Sequence, residues 1–285
     1  MHQASLMLSI FSGLLTSPDA SRAGDEKAYA VQTVKDVAYY DGPDQHKVKH
    51  KLDLYLPKGL KDFPVLFFVH GGAWVHGDKD MLGLYGLFAR AYAKQGIGVV
   101  VTNYRLSPEV KHPEHVKDVA RAFAWVHKNI ARYGGRADCV FACGHSAGAH
   151  LVSLLAGDLT YLKAHGLTGA AVRGVIPISG PFILQDGWLP KVFGDEKGTG
   201  KRVSPISYAR ERMPPFLIFY ADKDLVACDK PTAEAYCRAI KDKGNLAELV
   251  EVKNSDHFRI MFSAGTATDR VCESITKFIR DHTGK

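Results

Sequence analysis

The sequence predicts an α/β fold in which a mostly parallel sheet of about eight strands carries helices on both faces. Strand-like and helix-like segments alternate along most of the 285 residues, as they do in parallel sheets covered by helices. Several strand segments are continuous apolar runs, which is typical of strands buried on both faces. No linker or internal repeat divides the chain, so we expect a single domain over residues 24–285.

The segments that support this fold follow one another without a long gap. The predicted strands are residues 31–39, 50–56, 65–69, 98–103, 139–143, 172–178, 215–220 and 249–253. The predicted helices are residues 81–95, 115–133, 150–156, 230–243 and 267–281. Residues 180–214 are rich in loop-forming residues and too few for a separate lid domain. We therefore expect no large lid domain and an open site.

The first 23 residues have the pattern of a secretory signal peptide. Residues 4–15 are mostly apolar, and small and polar residues follow as far as Ala23. The stretch is short for a bilayer span, so we expect no stable membrane anchor. Residues 1–5 contain no Lys or Arg, which leaves a surface arm as the alternative. The prediction is a secreted or periplasmic protein, or a cytoplasmic one if this segment is not a signal.

Composition argues against two classes of function. The 37 Lys and Arg exceed the 30 Asp and Glu, but the basic residues are scattered, which does not indicate a nucleic-acid site. The five cysteines leave at least one unpaired, and no pair has zinc-ligand spacing, so no metal site is predicted. The oligomeric state stays open.

A G-x-S-x-G pattern at residues 144–148 contains the predicted nucleophile, Ser146. It follows the predicted strand 139–143 and precedes a predicted helix. A sharp strand-to-helix turn of this kind exposes a serine hydroxyl for attack on a carbonyl group. A glycine turn with a capping serine is the alternative, so the assignment depends on partners elsewhere in the chain.

A second glycine turn, His70-Gly71-Gly72-Ala73-Trp74, follows the predicted strand 65–69. Acyl transfer requires donors aimed at the oxyanion of a tetrahedral intermediate. We predict that the N–H groups of Gly72, Ala73 and Ala147 form this oxyanion hole.

The predicted base is His257 and the predicted orienting acid is Asp224. His257 follows the last predicted strand, and Asp224 follows the strand 215–220. Their order after Ser146 is the order of nucleophile, acid and histidine in this kind of serine hydrolase. Asp222 is the alternative acid, and either aspartate could instead stabilise a turn.

These motifs together resemble the compact α/β-hydrolase esterases of the hormone-sensitive-lipase-like and acetylxylan/feruloyl esterase type, to which kynurenine formamidases are related. The resemblance runs from about residue 34 to the C-terminus. It rests on residues 70–74, 103–108, 144–148, 224–226 and 256–258.

The resemblance implies a serine carboxylesterase that needs no cofactor and acts on a small-molecule or polysaccharide-linked ester, such as an acetyl or feruloyl ester. An arylformamidase acting on N-formylkynurenine is the first alternative. A hydrolase fold that only binds ligands is the second. Trp74 and His145 are predicted to contact substrate, with packing under the oxyanion loop as the other interpretation of Trp74. Arg105 is predicted to hold loops together through carboxylate pairs.

Overall fold

An eight-stranded sheet forms the centre of the structure, a computed structural model that describes residues 28–284. The strands are β1 (Val31–Ala38), β2 (Lys51–Pro57), β3 (Phe63–Val69), β4 (Gly98–Thr102), β5 (Gly135–His145), β6 (Gly174–Ile178), β7 (Phe216–Lys223) and β8 (Ala247–Asp256). Their order in the sheet is β1-β2-β4-β3-β5-β6-β7-β8. Among these eight strands, the pairs β1–β2 and β2–β4 are antiparallel and the others are parallel. The predicted mostly parallel sheet is confirmed.

Helices cover both faces of this sheet. They are α1 (Leu84–Lys94), α2 (Glu114–Asn129), α3 (Ala147–Gly157), α4 (Thr160–Lys163), α5 (Pro190–Phe193), α6 (Thr199–Val203), α7 (Lys230–Lys241), α8 (Arg259–Gly265) and α9 (Arg270–His282). Apolar residues of α2, α3 and α7 pack with one face of the sheet. Those of α1, α8 and α9 pack with the other. The two cores follow from the alternation of side chains along each strand.

Several local features differ from the sequence prediction, among them the following. Residues 81–83 form a 3₁₀ turn with Leu82 at φ 56°, so α1 begins three residues later than predicted. Residues 180–214 contain two short helices, α5 and α6. Helix α8 was not predicted, because seven residues are too few for a clear helical period and Phe262 on it is exposed.

The predicted signal peptide, residues 1–23, lies outside the described residues. Within residues 28–284, no helix is both long enough and apolar enough to cross a membrane.

The carboxyl ends of β3, β5, β7 and β8 meet at one edge of the sheet. Val69 at the end of β3 pairs with Gly144 of β5, and Lys223 at the end of β7 pairs with Asp256 of β8. The loops that leave these ends therefore meet. In open α/β sheets this edge is where ligands bind.

Candidate active site

The turn that presents Ser146 is tight and strained. Ser146 has φ 54° and ψ −119°, which few non-glycine residues adopt, and α3 begins at the next residue. A Cβ on Gly144 would lie 2.4 Å from the carbonyl carbon of Gly148. A Cβ on Gly148 would lie 2.0 Å from the carbonyl oxygen of Val69. Both positions therefore require glycine, and the strain at Ser146 is of the kind found at functional sites.

Ser146, His257 and Asp224 form a continuous chain of hydrogen bonds. The Oγ of Ser146 is 2.9 Å from Nε2 of His257. The Nδ1 of His257 is 2.6 Å from Oδ1 of Asp224. The side chains of His257 and Asp224 are almost completely shielded from water. This is the geometry of a nucleophile, its general base and the carboxylate that orients the base.

The carboxylate of Asp224 is held by three further donors. Ser179 Oγ donates to Oδ2 at 2.6 Å, and the N–H groups of Ala221 and Leu225 donate at 2.9 Å each. Burial alone would raise the pKa of Asp224, but the hydrogen bonds from His257, Ser179 and Ala221 outweigh burial and keep this pKa below its ordinary value. Asp224 therefore stays ionised beside His257.

Asp222, the alternative acid, occupies a different position. Its carboxylate accepts hydrogen bonds from the N–H groups of Asn254 and Ser255, each at 2.9 Å. These contacts join the end of β7 to the segment that leads to His257. Asp222 therefore supports the histidine loop, while Asp224 contacts the histidine ring.

The turn after β3 passes directly beside Ser146. A Cβ on Gly71 would lie 3.1 Å from Cβ of Ser146. Gly72 has φ 116°, and a Cβ there would lie 2.2 Å from the carbonyl oxygen of His76. The N–H of Ala147 belongs to the first residue of α3, where helical N–H groups have no intrahelical acceptor. The predicted donors thus come from two backbone segments that meet at Ser146.

His70 fixes the shape of this turn. Its Nδ1 donates to the carbonyl oxygen of Gly71 at 2.7 Å, and its ring stacks on Tyr104 with 4.5 Å between ring centroids. Burial lowers the pKa of His70 to about 4, so the ring is neutral at physiological pH.

The structure does not support the predicted substrate contacts of Trp74 and His145. Trp74 is 2% exposed and packs edge-to-face against His150 and Phe193, each 4.9 Å away between ring centroids. His145 is buried, and its Nε2 donates to the carbonyl oxygen of His257 at 2.7 Å. Trp74 is thus a packing residue under the oxyanion loop, and His145 connects the nucleophile turn to the histidine loop.

Sequence reasoning missed Ser179, which follows the end of β6. It has φ 50° and is fully buried, and its hydroxyl contacts Asp224 45 residues later in the chain. No motif in the sequence indicates this contact, since a lone serine after a strand has many ordinary roles.

The predicted structural role of Arg105 is confirmed. Its Nε and Nη2 each donate to the carboxylate of buried Asp118 at 2.8 Å. Its guanidinium also contacts Asp44 and Glu114 at 3.3 Å. One arginine therefore joins the loop after β1, the segment after β4 and the first turns of α2.

Comparison with known proteins agrees with this fold. Residues 52–170 match the BD-FAE family model. Esterase LipQ of Mycobacterium tuberculosis is 32% identical over 292 residues, covering 94% of this chain and 66% of that protein. Esterase LipC of the same organism is 32% identical over 67% of this chain and 51% of its own length. The chain thus spans less than two thirds of the length of these relatives.

A kynurenine formamidase of Danio rerio is 28% identical, over 85% of this chain and 80% of that protein. Among solved structures, a truncated carbohydrate esterase from gut microbiota superposes with a TM-score of 0.74 at 22% identity, covering 92% of this chain and 99% of the other. Esterase B from Lactobacillus rhamnosis superposes with a TM-score of 0.72 at 19% identity, covering 88% and 85%. At these identities the structural likeness establishes the fold. The match to the BD-FAE family covers residues 52–170, and the sheet and its structural neighbours show that the chain has the α/β-hydrolase fold.

Proposed function

We propose that the protein is a serine carboxylesterase. The observation that carries this proposal is the hydrogen-bonded chain from Ser146 through His257 to Asp224. His257 takes the proton of Ser146 as its Oγ attacks the ester carbonyl. The N–H groups of Gly72, Ala73 and Ala147 stabilise the oxyanion. His257 then protonates the departing alcohol, and water releases the acyl group by the same steps in reverse roles.

Carboxylic esters are the substrate class that the relatives favour. LipQ and LipC carry the name esterase, and the gut structural neighbour is a carbohydrate esterase. We propose acetyl or feruloyl esters of plant polysaccharides as the first substrates to test. A secreted or periplasmic location would suit such substrates, and a mature N-terminus at Gly24 in the culture medium would test it.

Hydrolysis of N-formylkynurenine is the second candidate activity. The relative named kynurenine formamidase covers most of both chains and favours it. The same triad and oxyanion donors can hydrolyse a formamide, because both reactions pass through a tetrahedral intermediate. Parallel assays with p-nitrophenyl acetate, acetylated xylan, methyl ferulate and N-formylkynurenine separate the two candidates.

The serine mechanism is tested by Ser146→Ala and by the pair Asp224→Asn and Asp222→Asn. We expect Ser146→Ala to lower kcat by roughly 10⁴-fold or more without loss of folding.

Asp224→Asn should lower kcat by on the order of 10⁴-fold, because the amide favours the wrong tautomer of His257. Asp222→Asn should leave most of kcat, because Asp222 contacts only backbone N–H groups.

Covalent labelling gives a readout independent of substrate choice. An organophosphate should add one phosphoryl group to Ser146 as its leaving group departs with the serine proton, and the addition is visible in the mass of the intact protein. Ser146→Ala should remain unlabelled. Wild-type turnover in the Ser146→Ala variant, or labelling elsewhere, would contradict the proposed serine mechanism. A wild-type protein that is neither labelled nor active on any of these substrates would favour the alternative of a binding protein.

A further inference from the structure

Cys228 lies next to the proposed catalytic dyad of His257 and Asp224 but takes no part in the proposed reaction. One ligating atom each of Asp224, Cys228 and His257 lies within 4.8 Å of the other two. Cys228 is buried, 6% exposed, and its thiol has no role in the proposed acyl transfer. A thiol, an imidazole and a carboxylate are together the donor set that Zn²⁺ prefers.

The position of Cys228 is fixed by its local backbone. Its N–H donates to the carbonyl oxygen of Leu225 at 2.9 Å, which closes a turn directly after Asp224. Ala227 in this turn has φ 71°, and its carbonyl oxygen accepts a hydrogen bond from Thr232 Oγ1 at 3.0 Å. The thiol is therefore presented to the dyad by a defined turn at the start of α7.

We propose that Asp224, Cys228 and His257 form an inhibitory site for a thiophilic divalent cation such as Zn²⁺. This inference rests on the proposed function, since inhibition needs an activity to inhibit. Zinc bonds of about 2.0–2.3 Å place tetrahedral ligand atoms about 3.5 Å apart, so the three side chains would shift by roughly 1 Å to bind the ion. The cation would replace the thiol proton, which leaves to solvent.

Metal binding at His257 blocks the triad whichever ring nitrogen is used. A cation on Nδ1 replaces the 2.6 Å hydrogen bond to Asp224. A cation on Nε2 replaces the 2.9 Å hydrogen bond to Ser146. In both cases His257 can no longer accept the serine proton, so inhibition should appear as a loss of kcat.

The turn between Asp224 and Cys228 borders solvent. Leu225 and Val226, directly between Asp224 and Cys228 in the chain, are 51% and 89% exposed, so the turn lies at the surface.

The test compares Cys228→Ala with Cys237→Ala, which removes another buried thiol, on α7. Esterase activity is titrated with Zn²⁺ in a buffer that does not bind metal, and EDTA is then added. Wild type and Cys237→Ala should lose activity reversibly. Cys228→Ala should keep its basal activity and need at least about tenfold more Zn²⁺ for half-inhibition, because one ligand is missing.

Binding is measured separately with Co²⁺ as the probe. Wild-type protein should develop a thiolate-to-cobalt absorption band that Cys228→Ala and Cys228→Ser lack. A protein that shows this band but hydrolyses no ester would refute the proposed function and leave the metal site standing. Equal Zn²⁺ sensitivity of wild type and Cys228→Ala, or a cobalt band that survives loss of Cys228, would overturn the metal site.

Discussion

At the level of single residues, Ser179 has the largest role that the motifs do not indicate. Its hydroxyl donates to Oδ2 of Asp224, while His257 donates to Oδ1 of the same carboxylate. It therefore fixes the rotation of the carboxylate against the imidazole. Its positive φ of 50° shows that the chain is held in an unfavourable conformation at this point. We regard Ser179 as a positioning residue for the triad.

Replacing Ser179 with alanine should lower kcat by roughly tenfold and leave KM nearly unchanged, since a positioning partner is lost and no substrate contact is removed. Steady-state kinetics with p-nitrophenyl acetate measure both constants. Ser255→Ala is the matched control, because Ser255 is also buried near His257 but its Oγ has no hydrogen-bond partner. An unchanged kcat in Ser179→Ala would contradict the role of Ser179 in positioning the triad.

At the level of elements, close contact between β3 and α3 determines the geometry of the nucleophile turn. The backbone of Gly148, in the first turn of α3, approaches the last carbonyl of β3 so closely that a Cβ would meet it at 2.0 Å. The helix start, with its positive dipole end, thereby lies beside the turn of residues 70–74. Any side chain at residue 148 must push these two elements apart.

Gly148→Ala should therefore destabilise the fold by about 3 kcal/mol, as overpacking at a rigid contact does. Gly244→Ala provides the comparison. No atom lies within 4 Å of its added Cβ, but φ is +77°, so only backbone strain of about 1 kcal/mol is expected. Urea unfolding of both variants measures the difference. A smaller loss for Gly148→Ala than for Gly244→Ala would contradict the packing argument.

The sequence predicted most of the fold because its main signals are local. Buried strands such as β3 are continuous apolar runs, and the glycine turn after β5 has a fixed spacing. The motif around Ser146 and the chain order led to Ser146 and His257 as nucleophile and base, and left Asp222 as an alternative to Asp224. Ser179 was not predictable, because its contact with Asp224 depends on how β6 and β7 lie side by side. For a similar reason the sequence left both packing and substrate contact open for Trp74, since α5 supplies its neighbour Phe193.

At the level of the whole molecule, several buried histidines make the stability of the fold dependent on pH. Burial is the main cause that lowers their pKa values from 6.5. These values fall to about 4 for His70, His112 and His115, and to about 3 for His145 and His150. The unfolded chain, in which these groups titrate near 6.5, therefore binds more protons than the folded one between pH 6.5 and about 4.

We expect the free energy of unfolding to keep its full value above about pH 6.5 and to decrease as the pH falls below that value. Each of these histidines contributes a loss of about 1.4 kcal/mol per pH unit within the interval. The urea midpoint should accordingly be clearly lower at about pH 5.5 than at about pH 7.5. Equal midpoints would show that the buried histidines titrate normally.

The proposed nucleophile and the proposed base follow strands at different positions in the sheet. Ser146 follows β5, which has a neighbour on both sides, whereas His257 follows β8, which is an outermost strand. Outer strands open by local fluctuation at lower free energy than interior ones. Transient detachment of β8 would separate the base from the serine while the interior of the sheet stays intact. We therefore expect local opening of β8 to be enough to inactivate the enzyme without global unfolding.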